Sequence, residues 1–141
     1  MAEYQLVEKP FLTQLHDLGW QVIDQGPGIP TSPTKSHRTS FREVILKDIF
    51  KGAVRSANRT DDGQEWLADS QLEDIYNELL DHTRKSLLEA NRDVFDLLVK
   101  KNTRVDRNEL TGEDSPVVRF IDFDHPDRNH FLAINQFRID T

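Results

Sequence analysis

The sequence predicts an α+β fold with α/β character, in which several helices pack on a short, incomplete mixed sheet that ends in a β-hairpin. Three observations lead there. Apolar residues recur at helical spacing through the first two-thirds of the chain. Three Ser-x-x-Glu signals, each able to start a helix, lie in its middle. From Val117 onward, two apolar runs flank a stretch of turn formers.

The first helix is read from LVEKPFLTQLHDLGW, which places Val7, Phe11, Leu15 and Leu18 on one face, with Gly19 where a left-handed cap would end it. Pro10 has no amide to donate and is tolerable only near a helix start, so the regular helix is expected from about Leu6 or later. WQVI is a short strand candidate with two β-branched residues and an aromatic. GPGIPTSPTKSHRT denies both helix and sheet continuity and reads as a long surface loop.

Ser40 with Glu43, Ser70 with Glu73 and Ser86 with Glu89 match the capping box, in which hydroxyl and carboxylate satisfy otherwise unpaired amides. A helix is therefore expected from Phe41 to Ser56, burying Val44, Ile45, Ile49 and Phe50. Another is expected from Gln71 to Thr83, burying Leu72, Ile75, Leu79 and Leu80. A last one starts at Ser86, buries Leu87, Leu88, Val94, Phe95 and Leu98, and ends near Lys100 and Lys101, whose charge suits the negative end of the helix dipole. The stretch NTRVDRNELTGEDSP reads as a charged link. Beyond it, VVRFIDF and FLAINQFRI are expected to pair as a hairpin across DHPDRN. The second run is apolar on both faces, as a central strand would be, with WQVI or an absent segment as its other neighbour.

Composition bounds the function. The 141 residues suit one domain; 36% are apolar and 30% charged, so the core is modest and the surface ionic. The net charge of −7 argues against gripping nucleic acid through the overall field, though a local basic patch can do so. The absence of cysteine excludes disulfides and thiolate metal sites and fits a reducing compartment. There is no apolar run of the roughly 18 residues that a membrane span needs, and no basic-apolar signal segment at the start, so a cytoplasmic protein is expected.

EYQLVEKPFLTQLHDLGW, SLLEANRDVFDLLVKKNTRV and above all VRFIDFDHPDRNHFLAINQFRI resemble, in order and over essentially the whole chain, the amino-terminal segment of the R (restriction) subunit of type I restriction-modification enzymes. The resemblance implies that residues 1–141 begin a nuclease domain of the PD-(D/E)XK class and stop before it is complete. It further implies that the subunit continues into an ATP-driven DNA translocase and assembles with methyltransferase and specificity subunits. DNA would be the substrate, and Mg2+ and ATP would serve the complete enzyme without binding this segment alone. The family's catalytic strands follow the strand resembling NQFRI, so the segment by itself is expected to be inactive. Asp140 falls too early to be the metal-binding aspartate of that pattern. With its sheet unfinished, the isolated segment is expected to be marginally stable or to aggregate.

One site residue follows from the resemblance. Glu8, on the first helix, corresponds to a Glu that in this nuclease class can face the metal pocket and orient its water, although a Glu near a helix start is stabilised by the dipole in any case. A DNA contact is read from Lys47, Lys51, Arg55 and Arg59, which recur every four residues. Together with Lys35, Arg38 and Arg42 they give residues 35–59 seven basic side chains against two acidic ones. The plainer reading is the solvated face of an amphipathic helix. Asp122, Asp124, His125 and Asp127 have the spacing of no common metal loop and suit a connecting turn. No Gly-rich phosphate loop, nucleophile elbow or HExxH occurs, which leaves a self-contained enzyme of another kind without its parts. The alternative is a non-catalytic helical interaction module whose terminal hairpin pairs with a partner's sheet.

Overall fold

Pro10 lacks an amide hydrogen and its ring crowds the preceding turn, so a regular α-helix cannot pass through it unchanged. In the computed structural model, which describes residues 2–82 and 85–141, the helix widens to admit it. Tyr4–Glu8 forms a π turn in which the Lys9 N–H donates to the Tyr4 carbonyl, and α1 continues over Lys9–Asp17. The regular α-helix thus begins after Leu6, with Pro10 in its first turn, as the missing amide requires. It ends as expected: Gly19 is left-handed at φ 94°, Trp20 N–H donates to the Leu15 carbonyl at 3.0 Å and Gly19 N–H to that of His16 at 2.9 Å.

Residues 1–46 and 130–141 make one compact unit, and residues 47–129 make the other. In the first, β1 (Gln21–Ile23) pairs in parallel with β4 (Leu132–Ile134), Val22 opposite Ala133. WQVI is therefore a neighbour of the closing strand, but the expected terminal hairpin does not form. FLAINQFRI also yields only three strand residues, because Gln136 takes a left-handed backbone at φ 50° and turns the chain out of the sheet.

The inward face of the first helix differs from the expected one by about one residue's rotation. Leu12 is buried and Tyr4, Glu8 and Leu15 are half-buried, while Val7, Phe11 and Leu18 are exposed. Residues 4, 8, 12 and 15 share a face as well as 7, 11, 15 and 18 do. The hydrogen bonds available to Tyr4 and Glu8 select the first set.

The stretch read as a long surface loop is partly interior. Arg38 is buried, its planar guanidinium 3.8 Å from the Phe137 centroid and 5.4 Å from that of Phe41. It donates to Ser36 Oγ at 2.8 Å and to the carbonyls of Glu43 at 3.0 Å and Arg138 at 2.8 Å. These bonds, with Asp140 N–H donating to the Phe41 carbonyl at 2.9 Å, hold residues 38–43 out of a helix. The Ser40 box is not made: Glu43 accepts from Thr39 Oγ1 instead. Consequently α2 spans Lys47–Ala57 rather than starting at Phe41, and Val44 is exposed.

The second unit contains α2, α3 (Asp69–Asp81) and α4 (Leu87–Asp96), which a π turn extends over Leu97–Lys101. It also holds β2 (Thr103–Arg104), paired antiparallel with β3 (Val117–Val118). VVRFIDF thus pairs with the start of the supposed link. The turn of that hairpin is made by buried Asn108, whose side chain accepts from Leu110 N–H at 2.9 Å and Thr111 N–H at 3.1 Å, and by left-handed Gly112. The start of α3 uses Ala68 and Gln71 in place of Ser70 and Glu73: Ala68 N–H donates to Gln71 Oε1 at 3.0 Å. The Ser86 signal does form, with Glu89 N–H donating to Ser86 Oγ at 3.4 Å. Thr83, the expected end of the preceding helix, lies outside the described residues.

An apolar core joins Val54, Leu67, Leu72, Ile75, Leu97, Val105, Val118 and Phe120, with Phe50 against its edge, stacked 5.9 Å from Phe120. The last helix points Leu97 inward; Leu87 and Leu88, expected in the core, are 77% and 81% exposed, and Phe95 is exposed too. Leu72→Ala should cost about 2–5 kcal/mol because it empties a closed site, whereas Leu88→Ala should change stability by less than about 0.5 kcal/mol. Urea unfolding of the two variants tests this assignment, and equal losses would reject it.

Candidate functional site

Parallel strands end together, so the residues following them are brought side by side, as at the ligand crevices of open α/β sheets. Asp24 follows β1 and Asn135 follows β4. The Asn135 carboxamide is the junction. Its Oδ1 accepts Gln25 N–H at 2.6 Å, and its Nδ2 donates to Glu8 Oε2 at 3.1 Å, to Asp24 Oδ1 at 3.3 Å and to the Gly26 carbonyl at 3.2 Å. Gln136, directed by its left-handed backbone, donates from Nε2 to Glu8 Oε1 at 2.7 Å. Both oxygens of Glu8 are therefore held by amides, and the side chain faces the carboxyl ends of the strands.

Asp24 is fixed from two further sides. Tyr4 Oη donates to its Oδ2 at 2.7 Å and Gly26 N–H to its Oδ1 at 2.9 Å. The Tyr4 bond is the main reason the Asp24 carboxyl lies below its ordinary pKa; partial burial pushes the other way, and the Gly26 and Asn135 bonds add to the lowering. The same bond raises the Tyr4 phenol, which would lose a donated proton on ionising.

This arrangement can hold a carboxylate still and present a polar surface, but it is not a metal cage. Mg2+ requires near-octahedral oxygen ligands. Glu8 accepts one amide donor on each oxygen, and no group of three or more His, Asp or Glu placed to hold a metal ion is found among the described residues. Glu8 here is a positioned carboxylate. Asp24, Asn135 and Gln136 are the partners that sequence reasoning missed; their signal is position, as polar residues directly after apolar strand runs.

The four basic residues of α2 and its end meet carboxylates. Lys47 Nζ lies 2.7 Å and Lys51 Nζ 3.3 Å from Glu73, Arg55 lies 2.5 Å from Asp69, and Arg59 lies 2.9 Å from Glu65. Lys47 is raised and Glu73 lowered in pKa chiefly by their mutual hydrogen bond. Lys35 and Arg42 are exposed, whereas Arg38 is buried.

Asp122, Asp124, His125 and Asp127 fall in a connecting turn whose Pro126–Arg128 stretch is 3-10 helical. Buried Asp122 accepts from Asp124 N–H and His125 N–H, each at 3.0 Å, and its own N–H donates to Asn129 Oδ1 at 2.9 Å. Asp140, at the chain's end, is gripped by Arg138 through bonds of 2.9 and 3.2 Å.

The family of the type I restriction enzyme R protein N terminus matches residues 1–141. The putative type I restriction enzyme MjaIXP endonuclease subunit of Methanocaldococcus jannaschii is 23% identical over 140 residues, 99% of this chain and 12% of that protein. The type I restriction enzyme HindI endonuclease subunit of Haemophilus influenzae is 26% identical over 133 residues, 94% of this chain and 12% of its own length. No solved structure matches.

Because the Asp24 carboxyl is lowered in the folded chain, its contribution to stability is complete above the unfolded carboxylate value of about 3.9 and is lost as pH falls through the folded value. Tyr4→Phe should move the Asp24 titration, followed by carboxyl NMR, upward toward that ordinary value. It should also lower stability at neutral pH, by an amount that shrinks as pH falls through the folded carboxyl value. An unmoved titration would show that Tyr4 is not the cause.

Proposed function

The chain belongs to the family of type I restriction enzyme R protein N termini, and on that premise we propose that it contributes the amino-terminal portion of a metal-dependent DNA-cleaving domain. In the complete protein this domain is coupled to an ATP-driven DNA translocase and works, in the cytoplasm, with methyltransferase and specificity subunits. The chain spans only 12% of each of the two relatives described above, both named as endonuclease subunits. The observation that carries the reading is Glu8, held by Asn135 and Gln136 where two parallel strands end. No described helix is long and apolar enough to cross a membrane.

Phosphodiester hydrolysis in this class needs a metal to polarise the phosphoryl oxygen and a cation to steady developing charge. Among the described residues no group of three or more His, Asp or Glu is placed to hold such a metal, and its ligands are assigned to the rest of the domain. Glu8 acts by position: an acceptor at a fixed place beside the strand ends orients a water or a neighbouring donor, and its two amide partners keep it from swinging into solvent. ATP is assigned elsewhere in the protein, since this sequence has no Gly-rich phosphate loop. Lys47, Lys51, Arg55 and Arg59 are the proposed DNA contacts, and phosphates must compete there with Glu73, Asp69 and Glu65. The interaction-module alternative loses the hairpin on which it rested, because the closing strand pairs with β1.

In the full-length protein, Glu8→Gln should lower DNA cleavage about 10- to 100-fold and leave ATP hydrolysis unchanged. Unchanged cleavage removes Glu8 from the site. Replacing the four cations at 47, 51, 55 and 59 by Gln should flatten the salt dependence of DNA affinity, by up to about 0.9 in slope for each phosphate that is no longer neutralised. A slope equal to the parent's would assign those cations to ion pairing alone.

A further inference from the structure

A cavity of about 250 Å3 lies within residues 47–129, bounded by the end of α2, the segment after β3 and the turn at 122–128. Arg59, Arg119, Arg128, His125 and Trp66 line it. Guanidinium groups around one hollow repel unless each is countered, and here the counter-charges are unevenly shared. Arg59 meets Glu65 at 2.9 Å, and Arg119 meets Asp122 at 3.1 Å and Asp124 at 3.4 Å. Arg128 donates to the Arg59 carbonyl at 3.1 Å, and among the described residues it has no carboxylate within ion-pair distance.

Three acids, Asp61, Asp122 and Asp124, also line the cavity. Asp122 is 1% exposed and spends Oδ1 on Arg119 and two backbone N–H groups, while its Oδ2 faces His125 Nδ1 at 3.3 Å. That contact fixes the imidazole by one nitrogen and leaves Nε2 without a protein partner among the described residues. Asp61 and Asp124 are exposed. Burial pushes the Asp122 carboxyl up, but His125 N–H, the Arg119 charge and Asp124 N–H outweigh it and keep it below its ordinary range.

The frame beneath is rigid. Buried Asn58 donates to the carbonyls of Val54 and Arg119, both at 2.7 Å, and accepts Arg119 N–H at 2.8 Å. The helix end and the strand are thereby locked together, and Arg119 is held at the wall. The volume is several times the roughly 30 Å3 share of one water, enough for a tetrahedral anion and its substituent.

We propose that this cavity is an oxyanion site that takes a phosphate group, with Arg128 as the uncompensated cation, Arg119 and Arg59 beside it and His125 Nε2 as a further hydrogen-bonding group. The planar guanidinium fork suits two phosphate oxygens at once, and Trp66 offers a flat apolar wall to whatever the phosphate carries. The site uses none of Glu8, Asp24 or Asn135 and shares only Arg59 with the proposed DNA contacts, so it is tested through Arg128 and His125, which the nuclease reading does not use.

The test is titration of the full-length protein with inorganic phosphate at constant ionic strength, comparing the parent with Arg128→Gln, Arg128→Lys and His125→Gln. Phosphate affinity should fall about tenfold or more in Arg128→Gln, less in Arg128→Lys, and measurably in His125→Gln, which keeps the Arg128 bond to the Arg59 carbonyl and so covers a failure of the first variant to fold. Competition then separates the sources of the phosphate. Displacement by a short DNA duplex points to backbone phosphates, and displacement by a nucleoside monophosphate but not by duplex points to a free nucleotide. Equal phosphate affinity in parent and all variants, or no phosphate binding by the parent, overturns the proposal.

Discussion

The Asn135 carboxamide joins pieces of chain separated by 127 and 111 residues in sequence, and the smaller unit depends on that junction. One side chain ties the first helix through Glu8, the end of β1 through Asp24, Gln25 and Gly26, and its own strand. Closing so long a loop is entropically unfavourable, and a three-residue parallel ladder offers little in return. The polar network at the strand ends supplies the difference. It also explains the direction of the first helix's inner face, because Tyr4 and Glu8 can bond there whereas Val7 and Phe11 cannot.

The two units hold together by different means. Residues 47–129 close over a continuous apolar cluster, the usual source of stability in a small domain. Residues 1–46 and 130–141 bury Leu12 and Phe41, and among them a charge: Arg38 sits against Phe41 and Phe137 with three oxygen acceptors. Burial pushes the Arg38 pKa down, and the charges of Glu43 and Asp140 oppose the shift. A buried cation without a paired carboxylate is costly unless its donors are filled, and Arg38 Nη2 has no hydrogen-bond partner among the described residues. The aromatic faces and carbonyls offset part of that cost, and they draw the segment around residue 40 away from the helix its Ser-x-x-Glu pattern favours.

Local signals are legible where no distant contact competes with them. Gly19 ends the first helix, Ser86 starts the last, and Asp122 and Asn129 build the turn that DHPDRN announces. Where a long-range partner intervenes, local pattern misleads. Ser40 yields its role to the bonds of Arg38 and Asp140, Ser70 yields to Gln71, and the two closing runs, adjacent in sequence, take different partners because parallel pairing with β1 needs no hairpin. Glu8 is identified by resemblance alone. The residues that hold it stay hidden because an Asn or Gln after a strand looks like any other loop residue until the parallel neighbour is known. The basic stripe of α2 is visible in the sequence, but not the carboxylates of residues 65–73 that meet it across the turn.

The central claim is that Glu8 works through Asn135 as one unit. A double-mutant cycle on DNA cleavage by the full-length protein, with Glu8→Gln, Asn135→Ala and their combination, measures this directly. The account predicts that the double variant cleaves no more slowly than Glu8→Gln alone, because the amide has nothing left to position. Independent effects that multiply in the double variant would contradict it.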